Sequence, residues 1–324
     1  MDEGLPPVTI GVAVRYETPE ALRRFVHQLA EAAHLLDAHT ESEVCFCLNG
    51  ASTDTKRYLD EALRELSDPD LRFQCIESPP GKIRAHSAIA SHRQLHGHIL
   101  FVDADITFDP PLFLELFSFM QSTPNAYACY AEVEALPSIA GGVFARLQNA
   151  YYRNRDRLKS RTHLHGRCFM VRSWFREFEE LHSASVDPNV SYDSFELHLG
   201  PVVDDIHYSR VLVYRCGLNT IGCVPGARVR FIPPHSAGEL YRDSCRTELE
   251  LCRLDLLFPE HAHLQDQVFR VESALSRCWS AFRRAGLSAA AYVAIESMMR
   301  WSARRRTQKR KATLSEAGIS ATAA

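Results

Sequence analysis

The 324-residue sequence has no run of ~18 uninterrupted apolar residues, which excludes the pattern of a membrane-spanning helix. A basic leader followed by a long apolar stretch is missing too. The chain opens MDEGLPPVTI, acidic and proline-bearing, so no signal peptide is predicted. None of the ten cysteines falls in Cys-x-x-Cys spacing, which argues against a thiolate metal site and reads as free or buried thiols of a reducing compartment. These absences together predict a cytoplasmic address. An excess of one charge is lacking as well: 37 Lys and Arg face 40 Asp and Glu, a net charge of -3, so nucleic acid is not an expected partner.

What is present is an ordinary globular composition. Apolar residues make 46% of the chain and charged residues 24%, enough to bury a sizeable core. The length fits one large α/β domain with an appendage, and excludes a repeat array. Val8 to Val14 reads as a strand, Thr18-Pro19 as a helix start, and Leu22, Phe25, Val26, Leu29, Ala33 and Leu36 follow at helical spacing. The unit recurs at Val44 to Leu48, at Leu71 to Ile76 with a helix through Ile83, Ile89 and Leu95 ending near Gly97, and at His98 to Val102 before a helix carrying Leu112 to Met120. Four strand-helix units in a row predict a parallel sheet covered on both faces, with ligands at the carboxyl ends of its strands.

From residue 126 the rhythm changes. An alternating stretch, Ala126 to Ala135, precedes a helix to about Lys159, a strand Gly166 to Val171 and a long loop Ser183 to Gly200. Val202 to Cys216 reads as a helix stopped by Gly217, then two short strands around Ile221 and Val229, and Pro233-Pro234 as a break. The remainder reads as helical. The division expected is a 1–125 half, a 126–235 half of the same domain, a helical extension 236–312 and a disordered tail 313–324.

The sharpest chemical signal is Ile99-Leu100-Phe101-Val102-Asp103-Ala104-Asp105. Two carboxylates at i and i+2 on a strand end point to one side at the sheet's ligand edge, where they repel unless a cation joins them. Mg²⁺ or Mn²⁺ carrying a nucleoside diphosphate is the natural third party, since hard oxygen ligands suit those ions. The alternative is that either Asp caps the following turn. Lys82 and Arg84 follow Pro79-Pro80-Gly81 at a strand-to-helix turn, as phosphate contacts or as solvated charge. His163 and His165 share a strand face but have no partner cysteine or carboxylate at zinc-site spacing.

Four segments in order resemble the inverting glycosyltransferases of family two, with their GT-A nucleotide-sugar fold: a mostly parallel Rossmann-like sheet flanked by helices. They are Val8-Thr9-Ile10 with Tyr16 and Pro19-Glu20; Glu43 to Leu48 leading into Asn49-Gly50-Ala51-Ser52-Thr53-Asp54; Gly81-Lys82-Ile83-Arg84-Ala85 through Gly97, the Asp-x-Asp strand and Phe108-Asp109-Pro110; and Val202-Val203-Asp204-Asp205-Ile206-His207-Tyr208-Ser209-Arg210-Val211-Leu212. The resemblance covers residues 8 to 235. It implies a metal-dependent transfer of a sugar from a nucleotide diphosphate, a UDP-sugar as first choice, to a small-molecule, saccharide or lipid acceptor. It makes Asp105 the principal metal ligand, Asp103 a neighbour of ribose, diphosphate and metal, Asp205 the general base and Asp204 its support. Tyr16, Glu17, Asn49, Lys82 and Arg84 fall on the donor side, His165, Gly166 and Arg167 on the acceptor side, and His235 near a metal-ligating histidine of some members. Asn49 stands where the family usually has Asp, Glu17 where it often has Asn, and Val14 where it often has Pro.

Two rivals remain at this stage. A nucleotidyltransferase shares the architecture but normally carries a Gly-rich loop after the first strand, where this chain has Arg15-Tyr16-Glu17-Thr18. A non-catalytic nucleotide-sugar-binding protein would keep the fold without turnover. The last helix, Leu287 to Arg306 with a basic end, reads as a face for docking, for a second subunit or for an anionic membrane surface.

Overall fold

The computed structural model describes residues 5–66, 71–138, 141–153, 162–178, 204–264, 268 and 273–316. The chain divides into two compact units, residues 1–134 with 158–231, and residues 135–157 with 232–324.

The first unit begins as the periodicity predicts. Strand β1 (Val8–Val14) is buried at six of its seven positions and leads into helix α1 (Pro19–Asp37). The Thr18 hydroxyl accepts from the Ala21 N–H, and proline opens the first turn, where its missing N–H is no loss. Strand β2 (Ser42–Asn49) and helix α2 (Thr53–Leu66) repeat the unit, followed by β3 (Phe73–Ser78), α3 (Lys82–His92), β4 (His98–Asp103), the two-residue β5 (Thr107–Phe108) and α4 (Leu112–Ser122). Then come β6 (Ala128–Ala135), helix α5 (Val143–Arg153), β7 (Cys168–Val171), α6 (Asp204–Cys216) and β8 (Ile221–Phe231). The second unit holds α5 together with α7 (Ala237–Leu257), the short α8 (Pro259–Ala262) and α9 (Ala274–Glu316), which kinks at Gly286 (φ 76°, ψ -167°).

The sheet order is β3-β2-β1-β4-β7-β6-β8-β5. Its first four strands are parallel; β7 then pairs antiparallel with both β4 and β6, and β5 antiparallel with β8. The chain winds one way from β1 to β3 and crosses back to place β4 on the other side of β1. Such a reversal opens a crevice at the carboxyl ends of the two central strands, here the segments after Val14 and Asp103.

Three boundaries differ from the sequence reading. Helix α3 stops at His92, short of Leu95, because the N–H groups of Gln94 and Leu95 turn to the buried Glu43 carboxylate, both at 2.9 Å. A contact about fifty residues away in sequence thus ends the helix. The two strands expected around Ile221 and Val229 are one strand, β8, which passes through Gly226 at φ 95°; glycine tolerates that value without a Cβ clash. The six-residue strand expected at Gly166 begins at Cys168. The loop 183–200 and the end of the helix expected to reach Lys159 lie outside the described residues. Helix α9 runs through Glu316, and residues 317–324 of the expected tail also lie outside them.

Candidate active site

The crevice is built from four short pieces of the first unit. Strand β4 ends in Asp103, and Ala104-Asp105 form the turn after it. The strand alternation that would align both carboxylates therefore stops at Asp103, two residues before Asp105. Asp105 keeps 66% of its side chain exposed while Asp103 keeps 24%. The segment 162–167 crosses behind this turn, where the Asp103 N–H donates to the Arg167 carbonyl at 2.8 Å. Helix α6 supplies Asp204 and Asp205 in its first turn, a place the helix dipole favours for acids. Helix α3 supplies Lys82 at its own first position.

Lys82 joins these pieces. Its Nζ lies 2.8 Å from Asp103 Oδ1 and 3.3 Å from Asp204 Oδ2, and it donates to the Gly166 carbonyl at 3.0 Å. Burial alone would drive its proton off, yet the facing carboxylates of Asp103 and Asp204 raise its pKa above the ordinary lysine value. Burial in turn lifts the Asp103 carboxyl to about 6 against the opposing pull of Lys82, with Asp105 adding to the rise. Asp204 and Asp205 are raised for the same first reason, with Lys82 again opposing. Asp205 is half-buried and accepts the Ile206 N–H at 2.9 Å and the Gly166 N–H at 3.4 Å. Arg167 stands 3.6 Å from Asp105, its guanidinium lying 4.0 Å over the Phe231 ring.

His86, absent from the sequence reading, completes the floor. It lies one helical turn after Lys82, stacked on Phe101 at 4.0 Å, with Nδ1 3.1 Å from the Tyr208 hydroxyl and 3.9 Å from Asp204 Oδ2. Burial and then Lys82 hold it well below the usual histidine pKa, so it is neutral. Tyr208 lies one turn after Asp204. Two i, i+4 pairs on facing helices therefore meet, and that spacing was the signal available in the sequence.

The remaining donor-side residues sit differently. Asn49 Oδ1 accepts the Gly81 N–H at 2.7 Å and so holds the turn before α3, where Gly81 has φ 137°, a value that only glycine adopts without strain. Arg84 reaches back to the Pro80 carbonyl at 3.4 Å. Glu17 accepts its own loop's Arg15 N–H at 2.7 Å; burial raises its pKa and nearby Asp105 adds to the rise. Tyr16 is 67% exposed under the Arg15 guanidinium. His165 is half-buried beside Gly166. His235 belongs to the second unit, where its N–H donates to Glu239 at 2.6 Å.

Among the described residues no group of three or more His, Cys, Asp or Glu side chains forms a cage for a metal ion. The donor set nevertheless fits Mg²⁺ or Mn²⁺. Such ions are commonly held by one or two carboxylates, with phosphate oxygens completing the shell. Asp105 presents an exposed hard-oxygen ligand at the crevice mouth, whereas Asp103 already faces Lys82.

A mixed sheet, parallel from β3 to β4 and antiparallel beyond, with its crevice at the β1/β4 reversal and acids from a strand end and a helix start, is the architecture of a GT-A sugar-nucleotide enzyme. Residues 9–179 match the sequence model of Glycosyl transferase family 2, more than half of the chain, and the protein belongs to that family of glycosyltransferases. Among solved structures the fold is similar to the mannosyltransferase PcManGT from Pyrobaculum calidifontis in complex with GDP-Man and Mn²⁺, with 15% identity, a TM-score of 0.53, and 94% of this chain and 84% of that chain covered. A mycobacterial protein of known crystal structure aligns at 15% identity and a TM-score of 0.46, over 78% of this chain and 75% of that one. No curated protein sequence matches.

Proposed function

We propose that this glycosyltransferase moves a sugar from a nucleoside diphosphate to an acceptor hydroxyl by direct, inverting displacement. The observation that carries the reading is the meeting, through Lys82, of the β4 acid end with the first turn of α6. The acceptor oxygen attacks the anomeric carbon as the bond to the diphosphate oxygen breaks. The hydroxyl proton passes to the Asp205 carboxylate, whose raised pKa suits a proton acceptor. The nucleoside diphosphate leaves with the electron pair of the broken bond.

Asp105 would hold a divalent ion, with Asp103 at its edge; when bound, that ion would offset charge on the departing diphosphate. The charge balance supports this need. Among the described residues, Asp103, Asp105, Asp204 and Asp205 stand with Lys82 and Arg167, so an entering diphosphate adds negative charge to a site already rich in it. Asp204, tied to Lys82 and His86, supports the base rather than accepting the proton. Glu17, Tyr16 and Asn49 flank the nucleotide end, while His165 and Arg167 flank the acceptor end.

UDP-sugars are the first donors to test, and the GDP-mannose bound in PcManGT makes that donor the second. The deciding experiment is a thermal-shift panel of nucleoside diphosphates and their sugars with and without Mn²⁺, since a ligand bound only by the folded state raises Tm. A Mn²⁺-dependent shift with one base is expected, and Asp105→Ala should remove the Mn²⁺ dependence. A shift with nucleoside triphosphates but not with sugar nucleotides would overturn the donor assignment.

A further inference from the structure

We propose that helix α9 rests on an anionic lipid surface through its outward face. The whole chain is nearly charge-balanced, yet between residues 274 and 309 eight basic residues accompany a single acid, Glu296. That acid is already engaged by Arg277 and by Arg300, the latter at 2.9 Å. Arg304 pairs with Glu248 of α7 at 3.2 Å, and the stretch still carries eight positive charges against its one acid.

The apolar residues of the helix divide between two faces. On its inward side Ala281, Ala289, Tyr292 and Val293 are buried in the second unit, with Tyr292 stacked on Tyr151 of α5 at 5.1 Å. On its outward side stand the large ones. Before the Gly286 kink, Trp279 (62% exposed) and Phe282 (45%) stack at 5.8 Å. After it, Leu287 (76%), Met298 (64%) and Trp301 (56%) share one helical stripe, with the Arg305 guanidinium 3.8 Å over the Trp301 ring. Large apolar side chains exposed together in this way mark a surface that something else covers. Tryptophan, leucine and methionine set among arginines is the composition of a helix lying in a lipid interface, where rings enter the acyl boundary and guanidinium groups meet anionic headgroups.

A second copy of the chain fits this face poorly. A two-fold interface sets a patch against itself, which here opposes arginine to arginine, since Glu296 is buried and engaged within its own helix. No helix among the described residues is long and apolar enough to cross a membrane, so the contact is one of lying on the surface.

The chain carries three tryptophans, and two of them, Trp279 and Trp301, are on this face. The third, Trp174, packs among Phe101, Phe178 and Tyr208. Intrinsic fluorescence is therefore a direct probe. The full chain is mixed with phosphatidylcholine vesicles, pure or holding about one third phosphatidylglycerol, and followed by flotation, by emission wavelength and by light scattering. Flotation with the anionic vesicles at least about tenfold above the neutral ones, with a blue shift, is expected. Trp301→Ser and Trp279→Ser should each reduce both signals while leaving Tm unchanged, and the pair Arg305→Glu and Arg306→Glu should remove the preference for anionic vesicles. Failure to float, equal binding to both vesicles, or a dimer in solution that Trp301→Ser dissociates would overturn the proposal.

Discussion

The two acid pairs of the site, Asp103 with Asp105 and Asp204 with Asp205, are adjacent in space but held in opposite ways. In the first pair the leading residue is fixed by the Lys82 ammonium at 2.8 Å and the second projects into solvent from a turn. In the second pair the leading residue is again fixed by Lys82, but the following one is half-buried and held by two backbone N–H groups. Each pair thus divides into a carboxylate consumed by structure and one left for chemistry. The difference lies in the environment of the second member. An exposed carboxylate at a crevice mouth is suited to a hydrated cation, while a half-buried one with a raised pKa is suited to take a proton. In the proposed mechanism the same residue type serves two roles because one sits on a strand's exit turn and the other on a helix's entry.

The largest expected effect breaks this contrast at its chemical member. Asp205→Asn keeps size and shape but removes proton acceptance, so kcat should fall by about 10²- to 10⁴-fold, the usual contribution of a positioned base. Donor affinity, measured by calorimetry with the nucleotide sugar and Mn²⁺, should stay within about twofold because the amide keeps the size of the carboxylate and its oxygen still accepts the Ile206 N–H, the shorter of the two bonds. An unchanged kcat would move the base elsewhere and leave the pairs equivalent.

Next in size is the cation the pairs share. Lys82→Met leaves Asp103 and Asp204 without their common partner, and stranded carboxylates in a desolvated site are expensive. With about a fifth of the lysine side chain exposed, a loss of about 2 to 3 kcal/mol in urea unfolding at neutral pH is expected, somewhat below the figure for a fully buried pair. Lys82→Arg should recover part of it. If Lys82→Met were neutral, the two leading acids would not depend on one cation.

Much of this was legible in the sequence, and the remainder was not for definite reasons. The core strands announced themselves because β1, β2 and β4 are buried along nearly their whole length and read as apolar runs bounded by turn residues. Asp103, Asp105, Asp204 and Asp205 could be singled out because acids at a strand end and a helix start stand apart from such runs. Lys82 was visible only as a charge at a helix start, equally suited to solvent or phosphate. Its role depends on residues 21 and 122 positions away, a distance no period reports. His86 offered only its i, i+4 spacing from Lys82, and the end of α3 was hidden, being set by Glu43 of a neighbouring strand. Local chemistry wrote the elements, and long-range contacts decided what the charged groups do.

A third test sharpens the comparison through the segment 162–167 that binds one pair to the other. His163 in that segment is held near pKa 4 by burial, below its ordinary 6.5. A base with a depressed folded pKa is bound by more protons in the unfolded chain between those two values. Its contribution to stability is therefore present above about 6.5 and lost as pH falls towards 4. Between pH 7.5 and 5 the chain should lose roughly 1 to 2 kcal/mol from this group. His163→Gln should lack that part of the loss, which a pair of denaturant titrations measures by difference. Equal pH dependence in both proteins would show that His163 is not buried neutral.

The smallest effect expected is at Gly166, where the two pairs come closest to sharing backbone. Its carbonyl accepts from Lys82 and its N–H from the same residue reaches Asp205. A Cβ built there would stand 3.1 Å from the Asp205 Cβ and 3.3 Å from its Cγ, tighter than ordinary contacts. Gly166→Ala must therefore displace either the segment or the Asp205 side chain by a few tenths of an ångström. Small displacements of a reacting group reduce rate more than binding. A fall of about tenfold in kcat with donor affinity and Tm nearly unchanged is expected, whereas an equal loss of donor affinity would place Gly166 among the nucleotide contacts rather than beside the base.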